Sequence, residues 1–344
     1  IAMWRAAQDA AREVMELGVY DLFRPNPASP EEATQNYGDI WLEKVNEEQI
    51  FVRYFLKTRG DIPNVGRYAG PNGYRNWGSN TPTQSLVDAY RMSDGSAFDW
   101  SNPEHASAPY ENRDPRFYAS IQYDGAPWVT RPADGSNLDP VGVIQTFTEL
   151  TLPDGTTMPG LDTRNGPIEA WNGTYAGYYM RKFIDPAVDH QFEMQDVPWI
   201  FIRYAEVLLN YAEASIELGE LQEATAAINQ IRRRAAMPDL PAGLSAQQLR
   251  EEYRNERRIE LALEEHRFFD ARRWMIAPQL FGENAQGIDI RVKATDHRDR
   301  STYYDYTYKV IDIQERAWDD KLYFMPIHRD EINRNSLLVQ NPGY

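Results

Sequence analysis

The side chains in this sequence best suited to chemistry at a surface are flat aromatic rings set among turn residues. The chain carries 21 Tyr and 9 Trp. Many fall between about residues 60 and 198, where Gly, Pro, Asn and Asp interrupt every periodic pattern: Tyr68, Tyr74, Trp77, Trp100, Tyr110, Trp128, Trp171, Tyr175, Tyr178 and Tyr179. A sugar ring has an apolar C–H face and a polar hydroxyl edge. A rigid aromatic plate beside amides, carboxylates or guanidinium groups matches both at low entropic cost. Trp77 leads the candidates. Its run, Tyr74-Arg75-Asn76-Trp77-Gly78-Ser79-Asn80, surrounds it with polar and small residues and brings Tyr74 and Asn76 into the same expected site. Trp128, beside a predicted hairpin turn at Asp124-Gly125, and Trp171, followed by Asn172-Gly173, come next, and Trp100 completes the set. The competing reading of any one ring is that it caps a core beneath irregular backbone.

Other chemistry finds little support. A glycosidase needs two carboxylates across the scissile bond, one with a raised pKa. No spacing singles out such a pair among 52 acidic residues. No H-E-x-x-H, G-x-S-x-G, P-loop or dinucleotide fingerprint occurs. The five His residues lack metal-ligand spacing, and Asp162 to Gly166 lacks the alternating carboxylates of a calcium loop. With no cysteine, thiolate catalysis and disulfides are excluded within the chain. No metal and no cofactor are therefore expected. The net charge of −16 argues against nucleic acid and against adsorption to anionic lipid.

Positioning these rings falls to helices at both ends of the chain. Met3, Ala6, Ala10, Val14 and Leu17 recur at helical steps, with Gly18 as a stop. A second short helix or extended piece is expected over 31–44, and a strand over 49–55. From Trp199 onward, Ile202, Ala205, Leu208, Leu209, Ala212 and Ile216 trace an amphipathic helix ending at Gly219. A second helix runs through Leu221, Ala224, Ala227, Ile228 and Ile231, antiparallel to the first because the turn is so short. Ser245 to Gln248 reads as a capping box opening a third helix that extends to Trp274. Its charges Glu256, Arg257, Glu260, Arg267 and Asp270 stand at three- and four-residue steps, which fits a structural ion-pair network. Arg113-Asp114-Pro115-Arg116 reads as a locked turn, and Tyr303 to Tyr308 as a strand-like piece. The opening residues Ile1 to Ala7 already have the character of a helix interior, so an N-terminal portion is expected to precede them.

These segments also carry a family resemblance. Arg203-Tyr204-Ala205-Glu206-Val207-Leu208-Leu209 and Ala227-Ile228-Asn229-Gln230-Ile231-Arg232 are similar to helix motifs of SusD/RagB proteins. So are Glu256-Arg257-Arg258-Ile259-Glu260-Leu261 with Arg267-Phe268-Phe269-Asp270-Ala271-Arg272-Arg273-Trp274, and the ending Met325-Pro326-Ile327 with Gln340-Asn341-Pro342-Gly343-Tyr344. Upstream, Leu86 to Tyr90 and Asn112 to Phe117 fit as well, and the blocks keep the family's order. The resemblance implies a mainly α fold of tetratricopeptide-like helix pairs packed against an irregular loop-rich layer with small β-hairpins. It implies one unit in three stretches: scaffold over 1–59, ligand-facing layer over 60–197, and scaffold with C-terminal segment over 198–344. It further implies a non-catalytic, outward-facing outer-membrane lipoprotein, anchored by an N-terminal lipid not present in this chain. Such a protein captures an oligo- or polysaccharide for a SusC-like TonB-dependent transporter, or, in the RagB manner, a peptide. Part of the ligand site would lie in the preceding N-terminal region. A glycan-degrading enzyme and a pure protein-binding scaffold are the remaining alternatives.

Overall fold

The computed structural model describes residues 1–56, 64–133 and 135–344. The boundary expected at residues 59–60 lies outside them, as does Asp134 of the Asp134-Gly135 pair, a further turn signal in the sequence. Helices dominate, as expected, and their core is a bundle around one central helix. In chain order α1 (Ala2–Glu16), α2 (Pro30–Asp39), β1 (Gln49–Arg53), α3 (Val65–Ala69), α4 (Gln84–Ala89), α5 (Pro103–Ser107), α6 (Pro115–Ser120) and β2 (Ile121–Gln122) come first. Then follow β3 (Glu149–Thr151), β4 (Thr157–Met158), β5 (Tyr179–Met180), β6 (Trp199–Arg203), α7 (Tyr204–Leu218), α8 (Leu221–Arg234) and α9 (Ala246–Glu260). The chain closes through α10 (His266–Arg273), α11 (Ala277–Phe281), β7 (Ala285–Ala294), β8 (Tyr303–Gln314) and α12 (Arg329–Arg334).

Helix α7 is the hub. It packs on α1, α8 and α9 and buries Ala205, Leu208, Leu209, Ala212 and Ile216. Gly219 ends it at φ +79°, a left-handed conformation that glycine enters freely. The Gly219 and Glu220 N–H groups return to the Ile216 and Ser215 carbonyls at 3.1 and 2.8 Å, which turns α8 back antiparallel. Ser245 and Gln248 form the expected capping box at the start of α9.

Four local expectations are corrected. Residues 199–203 form strand β6, paired antiparallel with β1, before the helix begins. The run read as one helix from 245 to 274 breaks after Glu260, because Leu263 and Glu265 take left-handed φ values of 67° and 69° that no helix accommodates. The Tyr-rich piece is longer than expected, and its partner β7 went unrecognised. Finally, Asp124-Gly125 is a turn, with the Ala126 N–H on the Tyr123 carbonyl at 3.0 Å, but it closes no hairpin. Strand β2 pairs with β5, while Pro127 bridges to Val143.

Candidate functional site

The acidic and basic motif residues build scaffold. Arg203, fully buried, donates to Glu48 at 2.6 Å, to Glu260 at 2.7 Å and to Glu264 at 2.7 Å. Arg116 is equally buried and reaches Asp114 at 2.8 Å, Glu256 at 2.6 Å and Glu260 at 2.9 Å. Arg234 joins from α8 through Glu260 and Glu48. Burial alone would raise the Glu260 pKa, but Arg234, Arg203 and Arg116 outweigh it and hold the carboxyl well below the usual range. Asp114, expected within a locked turn, caps α6 by accepting from the Arg116 N–H at 2.9 Å. Asp162, from the loose calcium-loop match, is occupied by Arg131 at 2.7 Å. One expected member departs from the network: Arg267 makes no ion pair among the described residues.

The aromatic residues divide by exposure. Tyr110, Tyr178 and Tyr179 are core. Tyr74 is 5% exposed, donates from its hydroxyl to the Val129 carbonyl at 3.0 Å, and has the Arg131 guanidinium 4.3 Å from its ring centre. Asn76 is also 5% exposed, and its Oδ1 is buried without a hydrogen-bond partner among the described residues. Trp128 is half-buried, with the Arg181 guanidinium 5.0 Å from its ring. Tyr74, Asn76 and Trp128 share one cleft of about 400 Å³ with Arg131 and His190. Trp100 stands apart, its indole N–H on the Asp88 carboxylate at 3.2 Å and its ring edge-on to Phe98.

Trp77 and Trp171 do reach solvent, at 45% and 73% exposure. Trp77 lies against Tyr68, ring centres 5.0 Å apart, and Tyr68 is itself 49% exposed. This pair is held rigidly from below. The Trp77 N–H bonds the Arg67 carbonyl and the Ser79 N–H bonds the Tyr68 carbonyl, both at 2.7 Å, lacing the loop to α3. The loop carrying Trp171 is pinned to the same place. The Asn72 amide donates to the Ile168 carbonyl at 2.6 Å, and the Tyr179 hydroxyl donates to Asn72 Oδ1 at 2.6 Å. Gly78 lies so near the Asn172 carbonyl that any Cβ there would overlap it, and its φ is +51°. Tyr175, exposed, is stacked by the Arg164 guanidinium 3.9 Å from its ring centre.

Tyr68 and Tyr175 line a cavity of about 750 Å³, floored by Met180, Phe183 and Trp199 and edged by Asn80, Thr81, Gln314 and Arg316. That mixture of apolar floor and convergent amides and hydroxyls is the ordinary make-up of a small-molecule site. Sequence reasoning named Tyr68 and Tyr175 among the loop aromatics without singling them out. The signal that would have promoted Tyr68 is its partner nine residues on, which only the folded loop reveals.

The comparisons with known proteins agree with this architecture. The sequence profile of the SusD family matches residues 47–344. A SusD-like protein of Formosa agariphila is 33% identical over 155 residues, which cover 42% of this chain and 26% of that protein. A SusD-like protein from Bacteroides fragilis superposes with a TM-score of 0.75 at 31% identity, over 99% of this chain and 62% of that one. A SusD-like carbohydrate binding protein from the same organism superposes with a TM-score of 0.71 at 24% identity, over 96% of this chain and 60% of that one, a likeness of fold. This chain thus spans less than two thirds of each relative's length. With the profile matched from residue 47 to residue 344, the chain belongs to the SusD family.

Proposed function

We propose that this chain is the larger part of a non-catalytic surface protein that captures an oligo- or polysaccharide and passes it to a SusC-like TonB-dependent transporter. The observation that carries the proposal is the Tyr68–Trp77 pair: two aromatic rings held rigidly yet about half exposed, one of them lining a cavity of about 750 Å³. Leaving two such rings in water forgoes burial that the neighbouring core could supply, so a binding role is their natural explanation. Family membership and the carbohydrate-binding description of one relative support the same reading. Attachment to the outer membrane by an N-terminal lipid is part of the proposal. No helix among the described residues is long and apolar enough to cross a membrane.

Support for a non-catalytic role comes from the carboxylates. Glu260 and Glu264 are held ionised by arginine and lysine, whereas a general acid needs a raised pKa. Asp88, raised by burial, is engaged by Gln84 at 2.7 Å and by Trp100. The test is affinity electrophoresis against plant, fungal, algal and host polysaccharides, with a peptide mixture titrated by calorimetry alongside. Retardation on a polysaccharide without hydrolysis is expected. Heat from peptides alone would replace the saccharide with a peptide ligand, and release of reducing ends would overturn the non-catalytic reading.

A further inference from the structure

A second cavity of about 580 Å³ adjoins the first and shares Thr83, Leu263, Glu265, Ala285 and Arg316 with it. Its wall is the junction of α9 and α10. Arg258 and Arg267 line it, while Arg254, near enough to act on Arg267, stands with its guanidinium 5.0 Å from the Trp274 ring centre; none of the three has a carboxylate within 4.0 Å among the described residues. Arg258 donates to the Ser85 carbonyl at 2.7 Å, and Arg254 Nε is buried with no partner among the described residues. Burial, then the charge of Arg258, push the Arg267 pKa down to about 10, with Asp270 opposing and Arg254 adding to the fall. The cavity also holds Glu265 and Glu283, and an Arg257–Asp270 pair satisfied at 2.7 Å.

In the scaffold, Arg116, Arg203 and Arg234 are each met by two or more carboxylates. Here three arginines of a chain with net charge −16 are left together without one. Half-buried like charges repel one another until an anion joins them. Guanidinium groups present paired N–H donors that fit the oxygens of a carboxylate or a sulfate.

We propose that this recess takes the anionic substituent, a carboxylate or a sulfate ester, of an acidic saccharide whose neighbouring rings lie in the adjoining cavity. This rests on the saccharide capture proposed above. The overall negative field repels such a ligand at long range, so the preference acts at short range and weakens with salt.

The test is calorimetric titration of the chain with two matched pairs of oligosaccharides. One pair is an oligogalacturonate and its methyl ester; the other is a sulfated galactan oligosaccharide and its desulfated form. One charged member should bind about tenfold tighter than its neutral twin, which cannot form the charge-assisted hydrogen bond. High salt should shrink that advantage, and which pair shows it separates carboxylate from sulfate. Arg267→Gln should erase the difference between the charged and the neutral member of the pair. Arg316→Gln, at an exposed position between the cavities, should reduce it in part and guards against misfolding of the first variant. Saccharide binding without charge preference, or a preference untouched by Arg267→Gln and Arg258→Gln, would overturn this inference and leave capture standing. Failure of every saccharide to bind would remove both.

Discussion

Arginine is used in two opposite ways in this chain. Around Glu260, Arg116, Arg203 and Arg234 are wholly buried and each is met by carboxylates from distant segments. At the junction of α9 and α10, Arg254, Arg258 and Arg267 stand together with no such partner among the described residues. The same contrast runs through the aromatic residues: Tyr110, Tyr178 and Tyr179 are sealed in the core, while Tyr68, Trp77 and Trp171 face water. Residue type does not separate scaffold from surface in this family member. What separates them is whether the fold has supplied each polar or apolar group with a counterpart.

The largest expected effect lies on the scaffold side. Glu260→Gln leaves three buried guanidinium groups short of their shared partner and should cost about 3–5 kcal/mol in a chemical denaturation experiment. Acid attacks the same network. Glu260, Glu264 and Glu213 are all held ionised below their ordinary pKa. Their contribution is therefore complete at neutral pH and is lost as pH falls below the usual carboxylate range. Thermal melts should drop steeply there and change little between about pH 6 and 8. On the ligand side, Arg267→Gln should change selectivity for charged saccharides about tenfold with no fall in melting temperature. Trp77→Ala should weaken saccharide binding about three- to tenfold, the value of one aromatic contact, again without destabilising the fold. The smallest effect is expected at Trp100→Phe: about 1 kcal/mol of stability from removing the bond to Asp88, and no change in binding.

The division was partly legible beforehand. Helical periodicity located α1, α7 and α8; α7 and α8 bury the apolar stripe that marked them, whereas in α1 Met3, Ala6, Ala10 and Leu17 stay exposed and Gln8 and Ala11 are the buried residues. The break at Leu263 and Glu265 was not legible, since both residues favour helix and only tertiary contacts impose their backbone. Strand β7 was missed for a different reason: its residues alternate inside and outside only once β8 lies beside it. Among the candidate site residues, the exposure of Trp77 and Trp171 was readable from small polar neighbours. Tyr74 and Asn76 share that run, yet the chain turns at Arg75, which has φ +60°, and the two lie inside the neighbouring cleft. The unpaired state of Arg267 was invisible, because helical spacing offers Asp270 as a partner and the fold gives Asp270 to Arg257 and Arg273 instead.

The most direct measurement compares Trp77→Ala with Trp100→Ala by affinity electrophoresis, on a polysaccharide that retards the native chain. Trp77→Ala should lose most of the retardation while Trp100→Ala migrates like the native protein. Equal retardation of Trp77→Ala and the native chain would remove the Tyr68–Trp77 pair as the binding surface.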